Sequence, residues 1–244
     1  MKENLGRDFE SFAKSKGISG LNLHNFSNSM TPYILEERSM NVTQMDVFSR
    51  LMKDRIIFLG TDVNSHVSSI ITAQLLFLET LDKSSDINMY VNTPGGSVSD
   101  GLMVKDTMDY INPDVATTNM GIAASMGSII LSSGAKGKRS ALISSKVMTH
   151  QVSHGTQGNV QDTRVNQYQA EMYNYMLFKT LAMNSSKSFE DILERSRRDM
   201  WFNSDEALDY GFIDEIIGLD KSPSITTLME GYDEYYQREV LGRK

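Results

Sequence analysis

The 244-residue chain contains no cysteine. That excludes disulfide bonds, thiolate metal sites and a cysteine nucleophile, and it suits a reducing compartment. Long apolar runs are missing too, and nothing approaches the ~20 consecutive residues that span a bilayer as a helix. The first 30 residues hold Lys2, Glu3, Arg7, Asp8 and Glu10 without a continuous apolar stretch, so neither a secretory signal nor a membrane partner is expected. The expected location is the cytoplasm. Positive charge is in deficit, with 24 Lys and Arg against 31 Asp and Glu and a formal net charge of -7. A general nucleic-acid binder needs a basic surface to displace counterions, so nucleic acid is not an expected partner. The nearest approach to a basic patch, Lys136, Lys138 and Arg139, reads as a solvated turn. Histidine is scarce: His24, His66, His150 and His154 are the four present.

What is there fits a globular chain with one good-sized core, since 40% of residues are hydrophobic and 23% charged. Residues 1–30 are polar and weakly periodic, an extension ahead of a domain. Ile56-Ile57-Phe58-Leu59 before Gly60 reads as a buried strand, and Val67, Ile70, Ile71, Leu75 and Leu78 form one face of a helix ending near Leu81. The unit recurs. Ile87–Val91 is strand-like, a helix is expected from about Ser99 to Ile111, and Val115–Met120 is a strand followed by Gly121. A small-residue turn then leads into a helix over Met126–Ser133, and Lys146–Thr149 is a strand that delivers His150. Such alternation predicts an α/β domain with sites at the strand ends. Beyond Gly158 a long helix carries Val165, Tyr168, Met172, Tyr175, Met176 and Phe178, a stripe that reads as core or protein interface. Ser188 with Asp191 marks a capped helix start, and the helix from Asp205 stops at Gly211. Residues 219–244 read as a C-terminal extension with Tyr232, Tyr235 and Tyr236.

Two turns carry candidate chemistry. In Gly121-Ile122-Ala123-Ala124-Ser125-Met126-Gly127, a serine among small residues stands between a strand and a helix. The Met126 amide there can donate to an oxyanion formed at Ser125. A helix-capping serine would have the same surroundings. Pro94-Gly95-Gly96 offers bare backbone amides, although it is also a common plain turn. A serine nucleophile needs a base: His150 ends a strand and is favoured modestly over His154 in the loop that follows. It also needs a carboxylate to orient that base, and Asp191, Asp199, Asp205 and Asp214 all qualify.

Taken together, seven segments resemble the ClpP family, the proteolytic subunits of ATP-dependent Clp proteases. They are residues 46–59, 73–79, 90–96 (Tyr-Val-Asn-Thr-Pro-Gly-Gly), 123–127 (Ala-Ala-Ser-Met-Gly), 134–139 (Gly-Ala-Lys-Gly-Lys-Arg), 147–151 (Val-Met-Thr-His-Gln) and 199–214. The resemblance implies a crotonase-like spiral of β-β-α units with a handle helix projecting over 161–183. It implies Ser125 as nucleophile, His150 as base and Asp199 as orienting carboxylate, with Gly96 and Met126 as the oxyanion amides. Gly95, Val98, Val152 and Ser153 would line the substrate path. No metal or cofactor is implied in this subunit, since ATP is used by a partner AAA+ unfoldase that feeds unfolded polypeptides into two stacked heptameric rings. The implied division is an extension over 1–30, a peptidase domain over 31–218 and an extension over 219–244. The first of these would be a propeptide cut near Asn28-Ser29-Met30.

Departures from the family pattern are specific. His150-Gln151-Val152-Ser153 replaces the common His-Gln-Pro. Asn88 and Ser140 stand where aromatics commonly line the ATPase-docking cleft, although Tyr90 remains. Arg197-Arg198 replaces an acidic residue and Arg before Asp199, with Asp162 as a partner for Arg198. These suggest a divergent paralogue in a homomeric or mixed ring. Two alternatives share the fold: a catalytically idle structural subunit of a mixed ring, and an acyl-CoA enzyme using the Gly95-Gly96 amides on a thioester.

Overall fold

A computed structural model of the chain describes residues 11–12, 14–16, 33–38 and 41–241. Strands β1 (Tyr33–Arg38) and β2 (Asn41–Asp46) pair antiparallel. Asp46 then caps α1 (Val47–Lys53) by accepting from the Ser49 N–H at 2.9 Å. The strand–helix alternation follows: β3 (Ile56–Leu59), α2 (Ser65–Leu81), β4 (Ile87–Thr93), α3 (Val98–Tyr110), β5 (Val115–Ala124) and α4 (Met126–Ser132). With β6 (Arg139–Leu142) and β9 (Glu215–Ile217), the strands run in the order β3-β4-β5-β6-β9, all parallel. Ile87, Met89, Val91 and Thr93 alternate inward along β4, and Leu75 and Leu78 of α2 and Ile130 and Leu131 of α4 join the same core. Parallel strands covered by helices need this apolar content.

The expectation that β5 ends at Met120 is corrected: it runs four residues further and forks. Thr117–Asn119 pairs with β6, whereas Ile122–Ala124 pairs with β7 (Lys146–Thr149). Gly121 is needed here for space. A Cβ on it would stand 2.6 Å from Asn92 Oδ1, which accepts the Ile122 N–H. Buried Asn119 ties the fork: its Nδ2 donates to the Lys146 carbonyl at 2.8 Å, and its own carbonyl accepts from Ser145 Oγ at 2.8 Å. Strand β8 (Met200–Asn203) adds to β7 antiparallel. Strands β6, β8 and β9 are short, and the sequence pattern does not reveal them.

Helix α5 (Val160–Asn184) is the expected handle, one residue longer at each end, with Asn159 capping its start. Its buried residues are Leu177, Phe178 and Leu181, near the C-terminal end, while Val165, Tyr168, Met172 and Tyr175 are exposed. The stripe is therefore split: Phe178 belongs to the core, and the rest of it is surface. Ser188 caps α6 (Phe189–Arg195) as expected, and α7 (Ser204–Tyr210) starts in an Asn203–Glu206 capping box and ends at Gly211 with φ 77°.

Arg139 overturns the reading of a solvated basic turn. Its side chain is 4% exposed and forks onto Asp214, with Nε–Oδ2 at 2.8 Å. It also donates to the carbonyls of Ser132 and Asn184, and Lys138 pairs with Asp86 and Asp114.

Both extensions touch the body. Phe12 is half-buried with its ring 5.5 Å from Phe77 of α2. At the other end, Thr226 in α8 (Ile225–Leu228) donates to Asp205 through its amide and hydroxyl. The expected tyrosines lie in and after α9 (Tyr232–Tyr235) and are exposed. Among the described residues, no helix is long and apolar enough to cross a membrane.

Candidate active site

Three neighbouring strand ends bring the expected residues together. Ser125 is one residue beyond β5, His150 one beyond β7, and Asp199 one before β8. The parallel register Ala124↔Met148 and the antiparallel register Thr149↔Met200 carry the next residues side by side. His150 Nε2 lies 2.9 Å from Ser125 Oγ, and Nδ1 lies 3.2 Å from Asp199 Oδ1. A buried hydroxyl pair, Thr149 Oγ1 and Ser196 Oγ at 2.8 Å, braces the strand before His150 against the segment before Asp199. His150 is 26% exposed and Asp199 65%, so the inner end of the series is sheltered and the outer end is wet.

Ser125 is not a helix-capping serine. Its backbone sits at φ 53°, ψ -122°, and its side chain makes no cap hydrogen bond. A non-glycine residue at positive φ is strained by about 1–3 kcal/mol, and the surroundings must hold it there. Here the Ser125 N–H donates to the Met148 carbonyl at 2.9 Å, and the Ser125 carbonyl accepts from Ser128 Oγ at 2.7 Å. The hydroxyl is left free to face His150.

Beside it runs the Gly95-Gly96 turn, with φ of 91° and 149°. A Cβ on Gly95 would stand 2.7 Å from Ser125 Cβ, and one on Gly96 would stand 2.2 Å from the Val63 carbonyl oxygen. Gly96 is gripped on both sides, by the Val63 N–H donating to the Gly95 carbonyl and the Ser97 N–H donating to the Val63 carbonyl, each at 2.8 Å. Among the described residues the Gly96 N–H has no acceptor. The Met126 N–H, first in its helix, has none within that helix. Both amides are available to a developing negative charge.

A cleft of about 200 Å³ opens on this arrangement, lined by Gly96, Val98, Ser125, His150, Val152 and Ser153. Gly95, also expected there, is not part of that lining and packs against Ser125 and Met126. Sequence reasoning placed Phe178 in the helical stripe but missed the apolar wall of the cleft, which Phe178 forms with Ile129, Met148, Leu177 and Leu181. The 3/4 spacing of Leu177, Phe178 and Leu181 on α5 was the available signal.

The other candidates are committed elsewhere. His154 Nε2 bonds Gln167 at 2.9 Å, and His66 opens α2 on the surface. His24 lies outside the described residues. Asp191 pairs with Arg195, and Asp205 holds Thr226. Asp214 holds Arg139; burial alone would raise its carboxyl, but the hydrogen bonds from Arg139 and Gly137 outweigh that and keep it below the usual range. Asn88 is exposed on β4, and Tyr90 stacks on Phe58 at 5.3 Å. Ser140 is buried and bonded to Thr118. Arg197 pairs with Glu194, and Asp162 bonds Asn159 Nδ2 within its own helix start. Among the described residues no group of three or more His, Asp or Glu is placed to hold a metal ion.

A strained serine bonded to a histidine that is bonded to a carboxylate, beside two free amides, can perform nucleophilic acyl transfer. The family model for Clp protease matches residues 38–220. The chain belongs to the Clp protease family. An ATP-dependent Clp protease proteolytic subunit of Bacteroides fragilis is 46% identical over 215 residues, covering 86% of this chain and 98% of that protein. Its counterpart in Bacteroides thetaiotaomicron gives the same identity and coverage. One from Porphyromonas gingivalis is 47% identical over 191 residues, covering 78% of this chain and 86% of its own length. The mixed α/β architecture with its forked sheet and projecting helix agrees with the crotonase-like fold of the Clp protease family.

Proposed function

We propose that the chain is the proteolytic subunit of an ATP-dependent Clp protease, a serine endopeptidase acting on unfolded polypeptides. The observation that carries this is the hydrogen-bonded series from Ser125 Oγ through His150 to Asp199, at 2.9 and 3.2 Å. His150 Nε2 takes the Ser125 proton as Oγ attacks the peptide carbonyl. The N–H groups of Gly96 and Met126 receive the oxyanion. The same proton passes to the leaving amine as the C–N bond breaks, leaving an ester on Ser125. Water then gives a proton to His150, attacks the ester and restores the serine. Asp199 accepts from Nδ1–H and fixes the tautomer. The substrate runs between Gly95, Gly96 and Val98 on one side and Val152 and Ser153 on the other.

The subunit uses no metal or cofactor of its own; a partner AAA+ unfoldase consumes the ATP. Two stacked heptameric rings close through α5, a reading supported by its exposed Val165, Tyr168 and Met172. The exposed Asp199 supports it too, since ring contacts would then complete the outer end of the series. The protein works in the cytoplasm, with the peptidase domain over 31–218, a propeptide over 1–30 and a C-terminal extension over 219–244. Asn88, Ser140 and Arg197-Arg198 support a divergent paralogue able to join a mixed ring.

The test is intact-mass analysis before and after a fluorophosphonate probe, with Ser125→Ala as control. One adduct that vanishes in the control is expected, with loss of about 30 residues in the same spectrum. Absence of an adduct on assembled protein would refute the peptidase reading, and an intact N-terminus on active protein would refute the propeptide.

A further inference from the structure

His150 and Ser125 are fixed by strand pairing, but the wall of the cleft beyond His150 is not. β7 ends at Thr149, and from Gln151 to Asn159 the chain has neither strand nor helix until α5 begins at Val160. Val152 and Ser153 nevertheless line the cleft, so something must hold an irregular segment in place there. Two side-chain contacts to α5 do so: the exposed pair His154 Nε2–Gln167 Oε1 at 2.9 Å, and a second that lies at the cleft itself. The Val152 N–H donates to Asn174 Oδ1 of α5 at 3.0 Å, across 22 residues of sequence and in partly buried surroundings. Leu177 and Phe178, one turn further along the same helix, are buried and line the same cleft. The handle therefore supplies both the floor of the cleft and the clamp on its rim. The proline common at this position in the family has no N–H to give. In this chain Val152 supplies the donor and Asn174 the acceptor, a matched pair.

We propose that Asn174 is a positioning residue for substrate: it fixes the Gln151–Ser153 segment against α5, so that the segment's backbone is presented to the peptide strand. The proposal rests on the peptidase reading above. Losing one part-buried hydrogen bond to an irregular segment is worth roughly a five-fold change in affinity for a partner that needs the segment ordered. Peptide binding carries that loss. A small fluorophosphonate does not, since it reports on Ser125, His150 and the oxyanion amides alone.

The experiment uses the full-length protein with an extended fluorogenic peptide and the fluorophosphonate probe. In Asn174→Ala, KM is expected to rise roughly five-fold while kcat and the labelling rate stay within about two-fold of the parent. Asn174→Asp keeps an acceptor at the same place and is expected to recover the parental KM. Val152→Pro removes the donor and is expected to raise KM alike, with no further rise when Asn174→Ala is added. An unchanged KM in Asn174→Ala would overturn the proposal, as would equal losses in labelling and peptide cleavage or full additivity of the two substitutions. A parent protein that neither cleaves nor labels would instead remove the peptidase reading itself.

Discussion

Arg139→Met is expected to be among the most damaging substitutions away from the active site. The guanidinium is 4% exposed and binds both oxygens of Asp214, whose side chain is 20% exposed. It also satisfies the carbonyls of Ser132, at the end of α4, and Asn184, at the end of α5. Methionine fills similar volume but leaves the carboxylate with only the Gly137 and Arg139 amides, at 2.7 and 3.1 Å, and orphans both carbonyls. Breaking a buried pair from one side costs about 3–5 kcal/mol. Against a total of about 5–15 kcal/mol, that is a large share. For a domain of this size it lowers Tm by about 6–20 °C. Replacing both partners, as Arg139→Met with Asp214→Leu, removes the stranded charge and is expected to recover more than half of the loss. Urea unfolding followed by circular dichroism measures Arg139→Met, Asp214→Leu and the double variant. Single losses below about 1 kcal/mol, or a double variant equal to their sum, would refute the argument. The acid limb gives an independent check. Asp214 is held below its ordinary value of 3.8, so its contribution is complete above that pH and is lost as pH falls through the depressed folded value. Asp214→Asn should therefore flatten the decline of stability below about pH 4, after allowing for its lower starting point.

Two further outcomes test the site. Asp199→Asn keeps the shape but disfavours the needed histidine tautomer, and should lower kcat by about 10²- to 10⁴-fold with the fold intact by circular dichroism. A loss under about three-fold would mean that this exposed carboxylate does not orient His150. Gly96→Ala places a Cβ 2.2 Å from the Val63 carbonyl oxygen at a φ of 149°. Its amide must move, and peptide hydrolysis should fall at least about 100-fold, as when an oxyanion donor is lost. Retention of normal rates would place the oxyanion elsewhere.

Local sequence was enough for the strand–helix alternation from Ile56 to Ser132, because hydrophobic spacing and glycine punctuation survive without context. It marked the Ser125 turn and the Gly95-Gly96 turn for the same reason, and the caps at Ser188 and Gly211 were legible from the preference of those residue types for helix ends. Spacing favoured His150 only modestly over His154 and did not choose among the aspartates; the family resemblance chose both partners of Ser125. Only tertiary pairing supplies the reason. β8 is four residues long, with no pattern strong enough to announce it, yet its antiparallel register with β7 is what sets Asp199 beside His150. The same holds for Arg139, which looks like a solvated charge until Asp214, 75 residues away, closes on it. It holds for the α5 stripe as well, since an apolar periodicity does not say whether its face meets its own core or remains open. Local propensities fix elements, whereas contacts between residues distant in sequence decide where charge is buried and where a proton can pass.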